Sequence, residues 1–126
     1  MNAWCGMNKG VYTWFGSDPW RKFLKTSDFS PFGAESIWVL LDENPISIND
    51  GFFCVDYNGA YKTYTMPDAP ASYHNGAGGF AFADGHSEIH RWKDPRTKPP
   101  IGKLGGANAS NADVTWMRDH STRKKK

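Results

Sequence analysis

Residues 73–92 read YHNGAGGFAFADGHSEIHRW, and this stretch decides how the rest of the chain is interpreted. Large and small side chains alternate over residues 80–83, and a second alternating run begins at His86. Asp84-Gly85 lies between the two runs. Such a pair is typical of the type I′ turn, in which both central residues need a positive φ. The pattern therefore predicts a β-hairpin with a two-residue loop.

A two-residue loop also fixes the register of this hairpin, and with it the face on which each side chain lies. Ala83 should face His86, and Phe80 should face Ile89. We expect one mostly apolar face to pack into the core, with Phe80, Phe82, Ser87 and Ile89. The opposite face is expected to be solvated, with Ala81, Ala83, His86, Glu88 and His90.

Further strands are predicted on the N-terminal side of the hairpin. Residues 36–42 form a continuous apolar run, which fits a central strand buried on both faces. Residues 51–57 predict another strand, Asn58-Gly59 a turn, and residues 60–65 a third strand, while residues 4–12 favour an extended segment.

On the C-terminal side, residues 113–118 fit a short helix anchored by Trp116, with Asn111 or Asp113 as its N-cap. The fold class that we expect is mainly β (α+β), a small antiparallel sheet with hairpins and long loops. One domain should cover residues 1–119, followed by a basic tail over residues 120–126.

Length and charge limit the classes of function. The 126 residues correspond to about one domain. Residues 123–126 hold four of the fifteen basic side chains, so the remaining body carries a net charge of about −2. We therefore expect no nucleic-acid partner. No apolar run reaches the roughly 20 residues that span a bilayer, and no signal peptide is recognised, so we expect no membrane span in residues 1–126.

Several candidate sites can be weighed from the residues alone. His86 and His90 would lie about 13 Å apart on a strand, too far to share a zinc ion, and no Gly-x-Ser-x-Gly elbow is present, so we expect no enzyme. The acidic loop over residues 42–50 offers hard oxygen ligands for calcium, or is simply a polar loop. Cys5 and Cys54 favour two buried free thiols, while a disulfide between them stays open.

His74 is followed by nine residues and then by Asp84-Gly85. This spacing resembles the signature of the prepilin-type processing-associated H-X9-DG domain of pilin- and pseudopilin-like proteins. The similarity extends to residues 42–53, 70–76, 82–92 and 113–116, and covers roughly residues 1–119. In that family a prepilin signal and a long apolar helix precede the globular domain, so the chain corresponds to the part that follows the helix.

The resemblance implies a non-catalytic structural domain of a pilin- or type II secretion pseudopilin-like protein, placed in the periplasm or outside the cell. Its expected partners are further copies of itself or related pilin-like subunits, because an apolar sheet face without its helix needs another cover. The implied cofactor is none, or calcium bound by Asp42, Glu43, Asn49 and Asp50. His74 is expected to bond to Asp84 or to a loop backbone group.

Two alternative functions remain open at this point. The first is an extracellular carbohydrate- or ligand-binding β module that uses exposed Trp and Tyr rings. The second is a metal-dependent hydrolase, which would need His74, Asp84, His86 and His90 to converge on one metal.

Overall fold

The computed structural model describes residues 1–5, 20–55, 68–100, 103 and 111–125. Within these ranges an antiparallel sheet has the order β1-β2-β3, with β1 at Trp38–Leu41, β2 at Ala77–Phe82 and β3 at Ser87–Arg91. One α-helix, α1 (Ala112–Asp119), and three short 3-10 helices (Thr26–Phe29, Ala34–Ser36 and Pro95–Thr97) complete the regular structure of this part. The expected mainly β (α+β) class with a small antiparallel sheet is confirmed. None of the described helices is long and apolar enough to cross a membrane.

The predicted hairpin forms, but its loop has three residues and its register differs by one. Phe82 N–H donates to the His86 carbonyl at 2.9 Å, and Gly85 N–H donates to the Phe82 carbonyl at 3.0 Å. Gly85 has φ +95°, whereas Asp84 keeps a negative φ, so the two positive φ values of a type I′ turn are not present. The Asp84 carboxylate instead accepts the His86 backbone N–H at 3.1 Å, as in an Asx turn.

This one-residue shift exchanges the faces of β3. Phe80 pairs with Glu88, and Gly79 pairs with Ile89. Ile89 therefore lies on the face opposite the core and is 66% exposed, so its predicted place in the core was wrong. His86, which was expected on the solvated face, lies on the face of Phe82 and stacks on that ring with centroids 4.4 Å apart.

The apolar run at residues 36–42 forms an edge strand and not the predicted central one. β1 pairs only with β2 among the described strands, and Leu40 is 53% exposed. A β-bulge interrupts the register between Trp38 and Leu40. The outer edge of β1 is bonded by non-strand segments, since Asn2 N–H donates to the Val39 carbonyl and Trp38 N–H to the His120 carbonyl, both at 2.9 Å.

The strand predicted over residues 51–57 is absent from its described part. Phe53 makes a single parallel bridge with Asn2, and its neighbours through Val55 are irregular. The turn at Asn58-Gly59, the strand at residues 60–65 and most of the extended segment at residues 4–12 lie outside the described residues.

The core is built on aromatic contacts around Trp38, which is fully buried. Its ring meets Phe53 and Phe80 edge to face, at centroid distances of 6.0 and 5.9 Å. Its indole N–H donates to the Met117 carbonyl at 3.0 Å, which fastens α1 over this face of the sheet. Val114 and Met117 of α1 are buried.

Asn111 is the N-cap of α1, as one of the two predicted options, and its side chain accepts the N–H groups of Asp113 and Val114. Asp113 is buried and accepts the backbone N–H groups of Lys93 and Asp94. The first turn of α1 thus holds the segment that leaves β3.

The packed part of the chain continues beyond residue 119, where the basic tail was expected to begin. Ser121 and Thr122 are buried. Arg21 N–H donates to the Arg123 carbonyl at 2.8 Å, and the Lys124 ammonium lies 5.6 Å from the Trp20 ring centroid. Residues 121–124 therefore pack against the folded domain.

Asn2 joins three segments that are distant in sequence. Its side-chain amide donates to the carbonyls of Trp38 at 2.7 Å and Ser121 at 2.9 Å. Its side-chain oxygen accepts the Trp4 N–H at 3.0 Å. The residue is fully buried, so each of these groups would lack a partner if the amide were removed.

We expect Asn2→Ala to lower the free energy of unfolding by about 3 kcal/mol, because two carbonyls and one N–H would be left buried and unpaired. Urea denaturation followed by tryptophan fluorescence measures this change. Asn49→Ala is the matched control, since Asn49 is exposed, and should change stability by less than about 0.5 kcal/mol. Equal effects of the two substitutions would contradict the role assigned to Asn2.

We expect Gly85→Ala to destabilise the fold by about 1 kcal/mol, because a side chain is strained at φ +95° although no atom lies within 4 Å of the new methyl group. Gly51→Ala is the control, since Gly51 has equally open surroundings and no positive φ. Thermal unfolding compares the two. A neutral Gly85→Ala would show that the three-residue loop is not the conformation adopted.

Candidate functional site

The two parts of the H-X9-DG motif lie at opposite ends of β2. His74 Nε2 lies 3.2 Å from Asp42 Oδ2, at the turn that enters the strand. Asp84 Oδ1 lies 2.5 Å from His86 Nδ1, in the loop that leaves it. The six residues of β2 separate these positions by about 20 Å. The expected hydrogen bond between His74 and Asp84 is therefore not formed.

Each part of the motif fastens one end of the strand. The Asp42 carboxylate bonds His74 and also accepts the Gly79 N–H at 3.2 Å, which ties β1, the entering turn and β2 together. A Cβ atom at Gly79 would lie 2.7 Å from the same carboxylate oxygen, so a larger residue would displace the Asp42 side chain from this position. At the other end, the backbone N–H and then the ring of His86 hold the pKa of Asp84 below its ordinary value.

The four side chains that a metal-dependent hydrolase would need do not converge. His74 bonds Asp42, Asp84 bonds His86, and the ring of His90 packs against Trp116. No group of three or more His, Cys, Asp or Glu side chains able to hold a metal ion occurs in the described part of the chain.

The candidate calcium ligands also point to separate partners. Asn49 is exposed, and the other three accept hydrogen bonds from neighbouring groups: Asp42 from Gly79 N–H, Glu43 from Ser47 Oγ–H, and Asp50 from Phe52 N–H. Burial raises the pKa of Glu43, as it does for the neighbouring Asp68. These oxygens serve as acceptors that shape residues 42–52.

An aromatic stack that the sequence did not indicate lies between β3 and α1. The Trp116 ring is sandwiched by His90, with centroids 3.7 Å apart, and by His120, with centroids 4.5 Å apart. His120 Nδ1 lies 2.8 Å from the Trp116 carbonyl. The four-residue spacing of Trp116 and His120 on a helix could have predicted that these two rings meet. The contact of His90 with Trp116 depends on the register of the sheet and could not be predicted in this way.

Burial of His90 lowers its pKa, and the nearby Lys93 and His120 side chains act in the same direction. The negative charges of Asp113 and Glu88 oppose this effect. The fold therefore favours the neutral imidazole at position 90.

Both cysteines are free thiols buried in the core. Burial raises the pKa of each to about 12, so neither is present as a reactive thiolate at neutral pH.

The surface that stands out is the sheet face turned away from α1, which we call the open face. Its exposed apolar side chains are Leu40 on β1 and Ile89 on β3, with Ala81 of β2 between them. Gly79 has no side chain and Ala81 has a small one, so the centre of the face forms a shallow depression of about 750 Å³. The one-residue shift of the hairpin brings Ile89 to this face, opposite Gly79.

Comparison with protein-family models finds no match for this chain, and comparisons with curated proteins and with solved structures find none either. The functional interpretation therefore depends on the geometry above and on the resemblance of the H-X9-DG motif.

We expect the stability of the fold to fall as the pH decreases below about 6.5, the ordinary pKa of histidine. The unfolded chain binds a proton at His90 more readily than the fold does, so acid favours unfolding in this window. His90→Phe should reduce this slope while retaining a ring against Trp116. Free energies of unfolding measured at pH 7.5, 6.5 and 5.5 test the effect.

The control for that series is Leu24→Ala, because Leu24 is exposed, lies outside the stack and carries no titratable group. It should leave the slope between pH 7.5 and 5.5 unchanged. A slope in His90→Phe equal to that of the unmodified protein would contradict the assignment.

Proposed function

We propose that this chain is a non-catalytic assembly domain of a pilin- or type II secretion pseudopilin-like protein, which associates with further copies of itself or with related pilin-like subunits. The observation that carries the proposal is the open face. The other face of the same sheet is covered by the chain's own residues, whereas Leu40 and Ile89 remain in solvent.

The chemistry of the open face fits packing against a protein surface. Two branched apolar side chains flank a floor of glycine and alanine, which permits close approach of a helix or a second sheet. Burial of Leu40 and Ile89 would contribute about 1.5–3 kcal/mol each. In the family that the motif resembles, the sheet packs on a long apolar helix, and the open face offers the surface for such a contact.

The position of the apolar surface differs from the one expected from the sequence. Phe80 and Phe82 need no external cover, because Trp38, Trp92 and Trp116 pack against Phe80 within the chain and Phe82 is buried. The surface that does need cover lies on the opposite side of the sheet. The proposal places association there, in a protein located in the periplasm or outside the cell.

A carbohydrate-binding module is the alternative function. Such a module needs at least two exposed, coplanar rings, and Tyr73 is the one exposed aromatic ring in the described part of the chain. The histidine and carboxylate side chains of the motif act as supports of β2, which agrees with a structural role.

Association through the open face can be tested with Leu40→Asp. We expect the purified chain to increase in average mass with concentration, and Leu40→Asp to weaken this association about ten-fold, because a charge would have to be desolvated. Sedimentation velocity and light scattering over a wide concentration range measure the change, and negative-stain imaging shows whether ordered assemblies form.

Leu24→Asp is the matched control. Leu24 is 60% exposed, similar to Leu40, but lies outside the sheet, so this substitution should leave association unchanged. A chain that stays monomeric at every concentration, or an equal effect of both substitutions, would overturn the proposed function.

A further inference from the structure

The outer edge of β3 has backbone hydrogen-bonding groups without a strand partner in the described part of the chain. His86 and Trp92 turn their backbone groups toward β2, since the His86 carbonyl accepts Phe82 N–H and Trp92 N–H donates to Gly76. Backbone groups alternate in direction along an antiparallel strand, so Ser87, Ile89 and Arg91 direct theirs away from the sheet. In the described ranges no strand pairs with this edge, and four of the five residues of β3 are exposed.

β3 lacks the backbone features that commonly protect an edge strand from pairing, whereas the charges of Glu88 and Arg91 restrict the strands with which it can pair. Its pairing with β2 is regular over all five residues, without a bulge, and it contains neither proline nor lysine. The other edge of the sheet differs, because β1 carries a bulge and its outer groups bond Asn2 and His120. Only one edge of this sheet is therefore open to a further strand among the described elements.

We propose that β3 pairs antiparallel with β3 of a second copy of this chain, around a two-fold axis that passes beside Ile89. Ile89 then lies opposite Ile89 of the second copy, and Ser87 lies opposite Arg91. The two three-stranded sheets become one continuous sheet. An identical surface on both partners is what a closed two-fold dimer requires.

Charge favours this register over its two neighbours, which are reached by a shift of one pair in either direction. A shift of one pair in one direction places Glu88 opposite Glu88 of the second copy, and like charges directly opposite one another are destabilising. A shift in the other direction places His90 opposite His90. The register centred on Ile89 places Glu88 opposite His90 twice, so a carboxylate meets an imidazole N–H on both sides of the axis.

The interface expected from this geometry is small. Three residue pairs exchange about six backbone hydrogen bonds, and the buried area falls at the low end for specific complexes. We therefore expect a weak dimer with a dissociation constant on the order of micromolar or higher. In this dimer the open faces of the two copies lie on the same side of one continuous sheet. The two Ile89 side chains meet at the axis, so the apolar area is about twice that of one copy.

This inference rests on the proposed assembly function and adds to it a specific partner for the β3 edge, namely β3 of a second copy. Its geometry is tested by cysteine crosslinking. In the proposed register the Cα atoms of residue 89 in the two copies lie about 5.5 Å apart, within the range of a disulfide. The Cα atoms of residue 88 lie about 7–8 Å apart, beyond that range.

We expect Ile89→Cys to form a disulfide-linked dimer under mild oxidation, at least ten-fold faster than Glu88→Cys. Non-reducing electrophoresis over time measures both rates, and the buried Cys5 and Cys54 provide the background in the unmodified chain. Faster crosslinking of Glu88→Cys would overturn the register. Rates no higher than background for both variants would overturn the pairing.

A second variant tests the charge contribution without cysteine. Glu88→Lys should weaken dimerisation about ten-fold in sedimentation experiments, since the two carboxylates that accept the His90 imidazole N–H groups across the axis are lost. Glu35→Lys makes the same charge change at an exposed site outside the sheet and should have no effect. An unchanged dimer in Glu88→Lys, or equal weakening in both variants, counts against the proposed register.

The outcome also separates this inference from the proposed function. Leu40→Asp removes association through the open face but leaves the β3 edge intact, so Ile89→Cys should still crosslink in the Leu40→Asp background. Loss of crosslinking together with retained, Leu40-dependent assembly would overturn the edge pairing and leave the assembly role in place.

Discussion

The buried side chain of Asn2 is the constraint on which the rest of this structure depends. Its amide bonds the carbonyls of Trp38 and Ser121, and its oxygen holds the turn at Trp4. A strand edge, the first residues and the residues after α1 therefore meet at one fully buried polar group. Because an unpaired amide in this position is costly, the three segments are stable together and not separately.

The same arrangement explains why the two edges of the sheet differ. The groups that would bind a neighbouring strand along β1 are used by Asn2 and His120, and the bulge at Val39 lets the strand meet them. Trp38 is thereby held in the centre of the core, against Phe53, Phe80 and the end of α1. No comparable cover reaches β3 from the described segments, so the association that we propose involves that edge and the open face.

Local chemistry in the sequence was sufficient for the elements with short-range signals. The hairpin, the N-cap at Asn111 and the polar loop over residues 42–50 follow from turn and capping preferences of neighbouring residues. The register was not determined in this way, because an Asp-Gly pair suits a two-residue loop and equally a three-residue loop that ends on a glycine with positive φ. That single ambiguity moved Ile89 from the core to the open face.

Other features depend on contacts across the whole chain. The apolar run at residues 36–42 matches a central strand, but β1 is an edge strand that non-strand segments cover. No local pattern in residues 1–5 or 120–122 predicts that these residues bond to β1. The stack of His90, Trp116 and His120 likewise needs β3 and α1 to be placed first. The motif residues His74 and Asp84 were identified by spacing alone, and their separate partners, Asp42 and His86, required the folded chain.

The close approach of the Asp42 carboxylate to Gly79 has a consequence for how such a sequence can change. A side chain at position 79 cannot be accommodated while Asp42 keeps its place, and His74 in turn bonds that same carboxylate. A substitution at one of these three positions therefore changes the contacts of the other two. In a lineage of similar sequences, the histidine of the motif and the glycine five residues after it should be gained and lost together, as one inherited unit whose third member lies more than thirty residues earlier in the chain.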